Sequence, residues 1–177
     1  TTANANLNVS NLTKNGFANS GLPRGISTTG TIGTSKVEAE YFSFDVTGNN
    51  ASKFISLKSI ETRLRRTGGG ATTYSWSYSK NGGAYIPLGG PVALTVADEG
   101  YVQPTIDLSN ISDFQNMPGN TSLNFKLHAW GFSTTAGSFA IGRGYADQNQ
   151  NSLEVMGQIT DQPLPVELTT FTAKPNK

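Results

Sequence analysis

The sequence predicts an all-β protein, a two-sheet antiparallel β-sandwich of jelly-roll-like topology. Several segments alternate apolar and polar residues at the two-residue period of a half-buried strand. Turn-forming residues separate these segments, and the 177-residue chain contains 20 glycines. The sequence has no convincing helical pattern, whereas parallel strands would need helical crossovers, so antiparallel sheets are expected.

The clearest strand in the first third follows residue 40, where Phe42, Phe44 and Val46 face one side and Tyr41 begins the other. The strand after it runs from residue 54 to 66 and ends at three glycines. Before these two strands we predict one short strand and then a long surface excursion to residue 36. In chain order, these first three strands are predicted at residues 7–12, 40–47 and 54–66.

The strongest hairpin signal follows residues 73–79, where aromatic residues alternate with serine. Asn81-Gly82 comes next, and two-residue hairpin turns prefer this pair because both positions need a positive φ. Pro104 lies in a later extended segment and predicts an edge or a bulge there. The remaining strands are predicted at residues 84–88, 92–96, 101–108, 123–130, 138–141 and 153–159.

Composition excludes several classes of function. A net charge of +1 gives no basic surface for nucleic acid or for an anionic membrane. The absence of cysteine excludes disulfides and thiolate chemistry, and the single histidine, His128, excludes sites that need two histidines. No apolar run is long enough to span a membrane. The opening residues lack a charged and apolar leader, as expected of a processed chain.

The C-terminal segment Leu-Pro-Val-Glu-Leu-Thr-Thr-Phe-Thr-Ala, residues 164–173, resembles the segment ahead of the C-terminal sorting domain in proteins exported by the bacterial type IX secretion system. Residues 39–159 resemble a β-sandwich, carbohydrate-binding-like module of such proteins, through Tyr-Phe-Ser-Phe at 41–44, Leu-Arg-Arg-Thr at 64–67, Phe-Lys-Leu-His-Ala-Trp-Gly at 125–131 and Gly-Ser-Phe-Ala-Ile at 137–141. The resemblance implies a secreted or cell-surface module attached to catalytic or adhesive domains. We therefore expect one module at residues 1–160 and a proline-containing linker at 161–177.

Glycan recognition needs a flat aromatic face beside polar groups that bind hydroxyls. Trp76 and Tyr78 share one face of their strand and are candidates, although we favour a place in the core for this face, less strongly for Tyr78 near the hairpin end. Trp130 is the second candidate platform, because alternation places it outward with Lys126 and His128, although packing at the end of the strand is the favoured alternative. Tyr85 and Tyr101, near turns, are weaker aromatic candidates.

The densest positive cluster is the arginine group at the end of the 54–66 strand. A guanidinium binds carboxylate or sulfate groups of acidic polysaccharides, so Arg63 and Arg65 are candidate ligand-binding residues. For Arg66 we favour hydrogen bonds to carbonyls of the adjacent glycine turn.

Glu38 and Glu40 are candidate ligands for a structural calcium ion. Their segment, Val-Glu-Ala-Glu, resembles the opening of some calcium-binding carbohydrate-binding sandwiches. No pair of carboxylates and no nucleophile motif is singled out for catalysis. We therefore expect a non-catalytic module that binds polysaccharide by aromatic stacking and polar contacts. The alternative is a structural or adhesive spacer that binds no sugar.

Overall fold

The computed structural model describes residues 4–94, 97–144 and 150–164, with the side chains of residues 97–99 excepted. Over these ranges it has fourteen strands and one 3-10 turn at Ser112–Phe114. The strands are β1 (Leu7–Val9), β2 (Thr13–Asn15), β3 (Ala18–Asn19), β4 (Gly25–Thr29), β5 (Tyr41–Gly48), β6 (Phe54–Arg66), β7 (Thr73–Lys80), β8 (Ile86–Ala93), β9 (Ala97–Val102), β10 (Ile106–Asp107), β11 (Met117–Pro118), β12 (Ser122–Trp130), β13 (Phe139–Gly142) and β14 (Leu153–Thr160).

The strands form two antiparallel sheets that pack face to face. The front sheet has the order β1-β5-β12-β7-β8, with β2 also paired to β5. The back sheet contains β3, β4, β6, β9, β10, β11, β13 and β14. The chain passes between the sheets after β5 and again after β6, so consecutive strands face each other across the core. The predicted two-sheet antiparallel sandwich is confirmed.

The front sheet contributes the aromatic part of the core through the inward positions of three adjacent strands. β12 pairs with β5 on one side and with β7 on the other along most of its length. The alternation predicted for these strands is confirmed, because every second residue of each is buried. The buried residues are Phe42, Phe44 and Val46 of β5, Tyr74, Trp76 and Tyr78 of β7, and Leu123, Phe125, Leu127 and Ala129 of β12.

The back sheet is organised around β6, the predicted strand at residues 54–66. Its thirteen residues are long enough to pair with β13 and β14 along one edge and with β9, β10 and β11 along the other. Ile60 shows the arrangement, because it lies opposite Ile106 of β10 and opposite Val155 of β14. Side chains of β6 such as Ile60 and Leu64 close the core from behind.

Three sequence predictions differ from the structure in detail. The predicted surface excursion is wrong, because β4 pairs with β13 and buries Thr28 in the back sheet. The two strands predicted at 84–88 and 92–96 meet in one strand, β8, which ends at Ala93, and residues 95–96 lie outside the described residues. Pairing with β7 continues through the glycines of β8 because a register shift and the positive φ of Gly89 (75°) accommodate them. The segment at 101–108 divides into β9 and β10 around Pro104, which has no N–H to donate.

The predicted hairpin turn between β7 and β8 is confirmed. Asn81 and Gly82 both have positive φ, 51° and 73°, and the Gly83 N–H donates to the Lys80 carbonyl at 3.0 Å. The Asn81 side chain also accepts a hydrogen bond from the Ser122 N–H at 2.9 Å, which ties the turn to the start of β12.

The first residues after β14 stay attached to the sandwich. The Leu164 N–H donates to the Asn116 side-chain oxygen at 2.6 Å, and the Asn116 amide donates back to the Leu164 carbonyl at 3.3 Å. The rest of the predicted linker, residues 165–177, lies outside the described residues. Over the ranges described, no helix is long and apolar enough to cross a membrane.

We expect Gly82→Ala to lower the free energy of unfolding by about 1 kcal/mol, because a Cβ in the left-handed region is strained even in open space. Gly90→Ala is the matched control, since a Cβ there also meets nothing within 4 Å and its φ is not positive. Urea denaturation measures both variants. A Gly82→Ala protein as stable as the Gly90→Ala protein would contradict the turn.

Candidate functional site

The outward face of the front sheet is lined by the polar residues that alternate with the core positions. Lys126 of β12 lies opposite Ser43 of β5 and Ser77 of β7. Asn124, one step along the same face, lies opposite Asp45. This face therefore presents a carboxylate, an amide, hydroxyls and an ammonium group within three neighbouring strands.

Two tyrosine rings flank the Lys126 ammonium group. Its Nζ lies 3.9 Å from the ring centroid of Tyr41 and 3.9 Å from that of Tyr85. Both distances are within the range of cation–π attraction, in which the ammonium interacts with the negative face of the ring. The two ring centroids therefore lie no farther apart than the sum of these two distances, with the ammonium group between them.

The Tyr85 ring is fixed although it covers no core. Its side chain is 44% exposed, and its hydroxyl donates to the Asn124 side-chain oxygen at 2.6 Å. The Asn124 amide in turn donates to the Asp45 carboxylate at 2.6 Å. These contacts join β5, β12 and the residue before β8. We call Tyr41, Asp45, Tyr85, Asn124 and Lys126 the Lys126 cluster.

His128 shares this face but is not open to solvent, so its prediction as a ligand-binding residue is corrected. It is 5% exposed, its ring centroid lies 5.6 Å from that of Tyr41, and its Nε2 lies 3.7 Å from a Glu38 carboxylate oxygen. Its Nε2 is buried and makes no hydrogen bond within the described residues. Burial, followed by the charge of Lys36, lowers the pKa of His128, and Glu38 opposes this only in part.

Trp130 lies at the end of β12, opposite Thr73, and is half-buried. It shares the outward face with Lys126, as predicted. The Lys126 cluster is nevertheless built around tyrosines, so Trp130 stands beside it as a flanking aromatic residue.

Trp76 and Tyr78 face the core and cannot stack on a ligand outside the sandwich, which corrects their prediction as ligand-binding residues. Trp76 is 3% exposed and packs edge-on against Phe44, with 6.3 Å between ring centroids. The Tyr78 hydroxyl donates to the Asp113 carboxylate at 2.7 Å. Burial, with Asp113 adding to it, raises the pKa of Tyr78 to about 12, so the hydroxyl stays a donor. The serines between these aromatics take the outward positions.

The arginines of β6 belong to the back sheet and are separated from the Lys126 cluster by the core. Arg65 is 4% exposed and donates to the Pro23 carbonyl at 2.7 Å, so its prediction as a ligand-binding residue is corrected. Arg66 donates to the carbonyls of Gly68 and Leu94, at 2.9 and 3.3 Å, as expected for a residue that ties down the glycine turn. Arg63 is half-buried, lies opposite Val102 and has a partner of its own.

Glu38 and Glu40 serve different partners. The Glu38 carboxylate pairs with Lys36 at 2.7 Å. The Glu40 carboxylate is buried and accepts hydrogen bonds from the Thr31 N–H, at 3.0 and 3.1 Å, and from the Thr31 hydroxyl at 2.5 Å. Among the described residues no group of three acidic or histidine side chains is placed to share a metal ion.

Calcium binding by Glu38 and Glu40 stays a prediction, and it has a direct test. Bound calcium would raise the melting temperature above that measured with EDTA, because a ligand that binds only the folded state stabilises it. Glu38→Gln would remove the rise, and Glu61→Gln on the back sheet is the control. Equal melting temperatures in saturating calcium and in EDTA would contradict the prediction that the folded protein binds calcium.

The sequence did not single out Tyr41, Asp45 or Asn124, although the alternation of β5 and β12 placed all three outward. Tyr85 was a weak candidate because nothing local links it to Asn124, which is 39 residues away in sequence. Pairing of β7 with both β8 and β12 brings them together. No protein-family model and no curated protein sequence matches the chain.

The burial of His128 predicts pH-dependent stability. The unfolded histidine takes up a proton near pH 6.5, whereas the folded one resists it, so stability is complete above that pH and is lost as the pH falls below it. We expect the urea midpoint of the wild type to fall between pH 7.5 and 5.5, before the carboxylates titrate, and that of His128→Gln to fall less. Parallel pH profiles for the two proteins would contradict this account.

Proposed function

We propose that this chain is a non-catalytic polysaccharide-binding module whose ligand lies across the front sheet, over the Lys126 cluster. The observation that supports the proposal is the Tyr85 ring, which is exposed yet fixed by Asn124 and Lys126. A ring held in place before binding loses little conformational freedom when a ligand stacks on it. Carbohydrate-binding surfaces need such a platform, because the C–H face of a pyranose packs on an aromatic face.

Polar groups beside the platform match the hydroxyls of a sugar. Asp45 and Asn124 offer acceptor and donor atoms next to Tyr85, and Ser43 and Ser77 lie on either side of Lys126. Glycoside hydrolysis usually requires two carboxyl groups across the scissile bond. The Lys126 cluster has one, Asp45, so we propose binding without cleavage.

The proposed cellular role rests on the resemblance of the sequence to exported modules. We propose a secreted or cell-surface location, with residues 161–177 leading to a sorting or other domain. A module that holds a polysaccharide raises the effective concentration of an attached enzyme or adhesin at its surface. The chemistry then belongs to the attached domain.

A structural or adhesive spacer is the second candidate, and the burial of Trp76 favours it. In that role, the front sheet would contact neighbouring domains, and the Lys126 cluster would only fasten β8 to β12. The two candidates differ in whether removal of the exposed Tyr85 ring affects any interaction with polysaccharide.

The test is native affinity electrophoresis in gels that contain neutral or acidic polysaccharides, with Tyr85→Ala as the variant. We expect the wild type to be retarded in at least one gel and Tyr85→Ala to bind at least about tenfold more weakly, because truncation of an aromatic anchor costs about 2 kcal/mol or more. Tyr101→Ala is the matched control, since Tyr101 is 59% exposed on β9 of the back sheet.

Circular dichroism and thermal melting establish that each variant is folded. Retardation that survives in Tyr85→Ala would remove the Lys126 cluster from the binding site. Absence of retardation for the wild type in every gel would favour the spacer.

A further inference from the structure

We infer that the polysaccharide recognised by the front sheet carries carboxylate groups, one of which pairs with the Lys126 ammonium. This inference rests on the proposed function and names the chemical class of the ligand. Its basis is the position of the Lys126 ammonium between the exposed Tyr85 ring and the half-buried Tyr41 ring, with no carboxylate of the described residues paired to it.

Among the described lysines, three pair with a carboxylate, whereas Lys14, which donates to the Ser27 carbonyl, Lys58 and Lys126 do not; Lys126 differs from these two in lying between aromatic rings. Lys36, Lys53 and Lys80 each pair with a carboxylate, of Glu38, Asp161 and Asp113 respectively. In the part of the chain that the structure describes, no carboxylate pairs with Lys126, whose ammonium lies against the rings of Tyr41 and Tyr85. Ring faces replace part of the hydration of the ammonium group but accept no strong hydrogen bond, so its N–H groups remain available to an anion.

The carboxylates near Lys126 have partners of their own. Glu38 pairs with Lys36, and the charge of Lys126 adds only a smaller contribution to the lowered pKa of Glu38; Asp45 accepts the Asn124 amide. Asp45 still carries a negative charge, so it favours neutral hydroxyls over a second anion at its end of the cluster. The face therefore distinguishes two positions, with an anion at Lys126 and hydroxyls at Asp45 and Asn124.

A uronic acid supplies both chemistries that this arrangement needs, a pyranose face for Tyr85 and a carboxylate for Lys126. Because the ammonium already covers one face of the Tyr85 ring, the pyranose lies on the other face, and the carboxylate of the same or of a neighbouring uronate meets Lys126 at the edge of the ring. A neutral sugar leaves Lys126 unpaired on binding. An acidic peptide supplies the carboxylate without the ring that Tyr85 requires.

The experiment compares polymers that differ only in charge. Polygalacturonate and alginate are each tested in affinity gels beside their esterified forms, in which the carboxylates are blocked. We expect at least one acidic polymer to bind about tenfold or more tightly than its ester, and added salt to weaken the acidic interaction selectively. Poly-glutamate, which has carboxylates and no sugar, should bind far more weakly than the acidic polymer.

Lys126→Met retains the aliphatic stem and removes the charge. We expect it to lose the preference for the acidic polymer and Lys126→Arg to keep it. Lys58→Met is the matched control, because Lys58 is exposed on β6 of the back sheet. If Lys126→Met is not folded, the comparison of acidic and esterified polymers with the wild type still decides the question.

The outcomes separate the inference from the proposed function. Equal binding of acidic and esterified forms, or retardation by neutral polysaccharides alone, would overturn the inference and leave polysaccharide binding intact. Poly-glutamate that binds as tightly as the uronates would overturn it as well, because charge alone would then suffice. If no polysaccharide retards the wild-type protein, both the inference and the proposed polysaccharide binding are overturned.

Discussion

In β12, side chains alternate between the core and the outward face, and β5 and β7 keep the same alternation because both pair with it along most of its length. The inward set includes Phe125 and Leu127, which are fully buried. The outward set includes Asn124 and Lys126, on which the candidate site is built. A slip of one residue in this register would exchange the two sets. Burial of the inward residues therefore fixes the register of these strands, and the register fixes which residues form the outward site.

Local pattern was sufficient to predict the sandwich, because alternation and turn residues are properties of short segments. The Asn81-Gly82 turn and the boundaries of β6 followed directly from it. The pattern does not reveal β4, because its residues are mostly small and polar and Thr28 is buried through pairing with β13 on one side and β3 on the other. The pattern does not reveal the burial of Arg65 for a similar reason, because one of its partners, the Pro23 carbonyl, lies 42 residues away in sequence. Contacts of this kind depend on sheet order, which alternation does not determine.

The site itself was only partly predictable. The alternation of β12 correctly places Lys126 and Trp130 on the outward face. It places His128 there too, but it does not show that Glu38 and Lys36 lie close enough to shift the pKa of His128. Glu40 accepts three hydrogen bonds from Thr31 and so joins the two ends of the loop between β4 and β5. The Glu-Ala-Glu segment thus has two roles visible in the structure, one carboxylate that anchors the loop and another that approaches the histidine.

The two tryptophans occupy contrasting environments, and this makes them separate optical reporters. Trp76 is enclosed in the core against Phe44, whereas Trp130 is half-buried at the end of β12. A polar quencher such as acrylamide reaches the second indole far more readily than the first. Emission from Trp76 therefore follows the integrity of the sandwich, while the quenchable fraction from Trp130 follows what covers the front sheet. The native chain carries both signals without any added label.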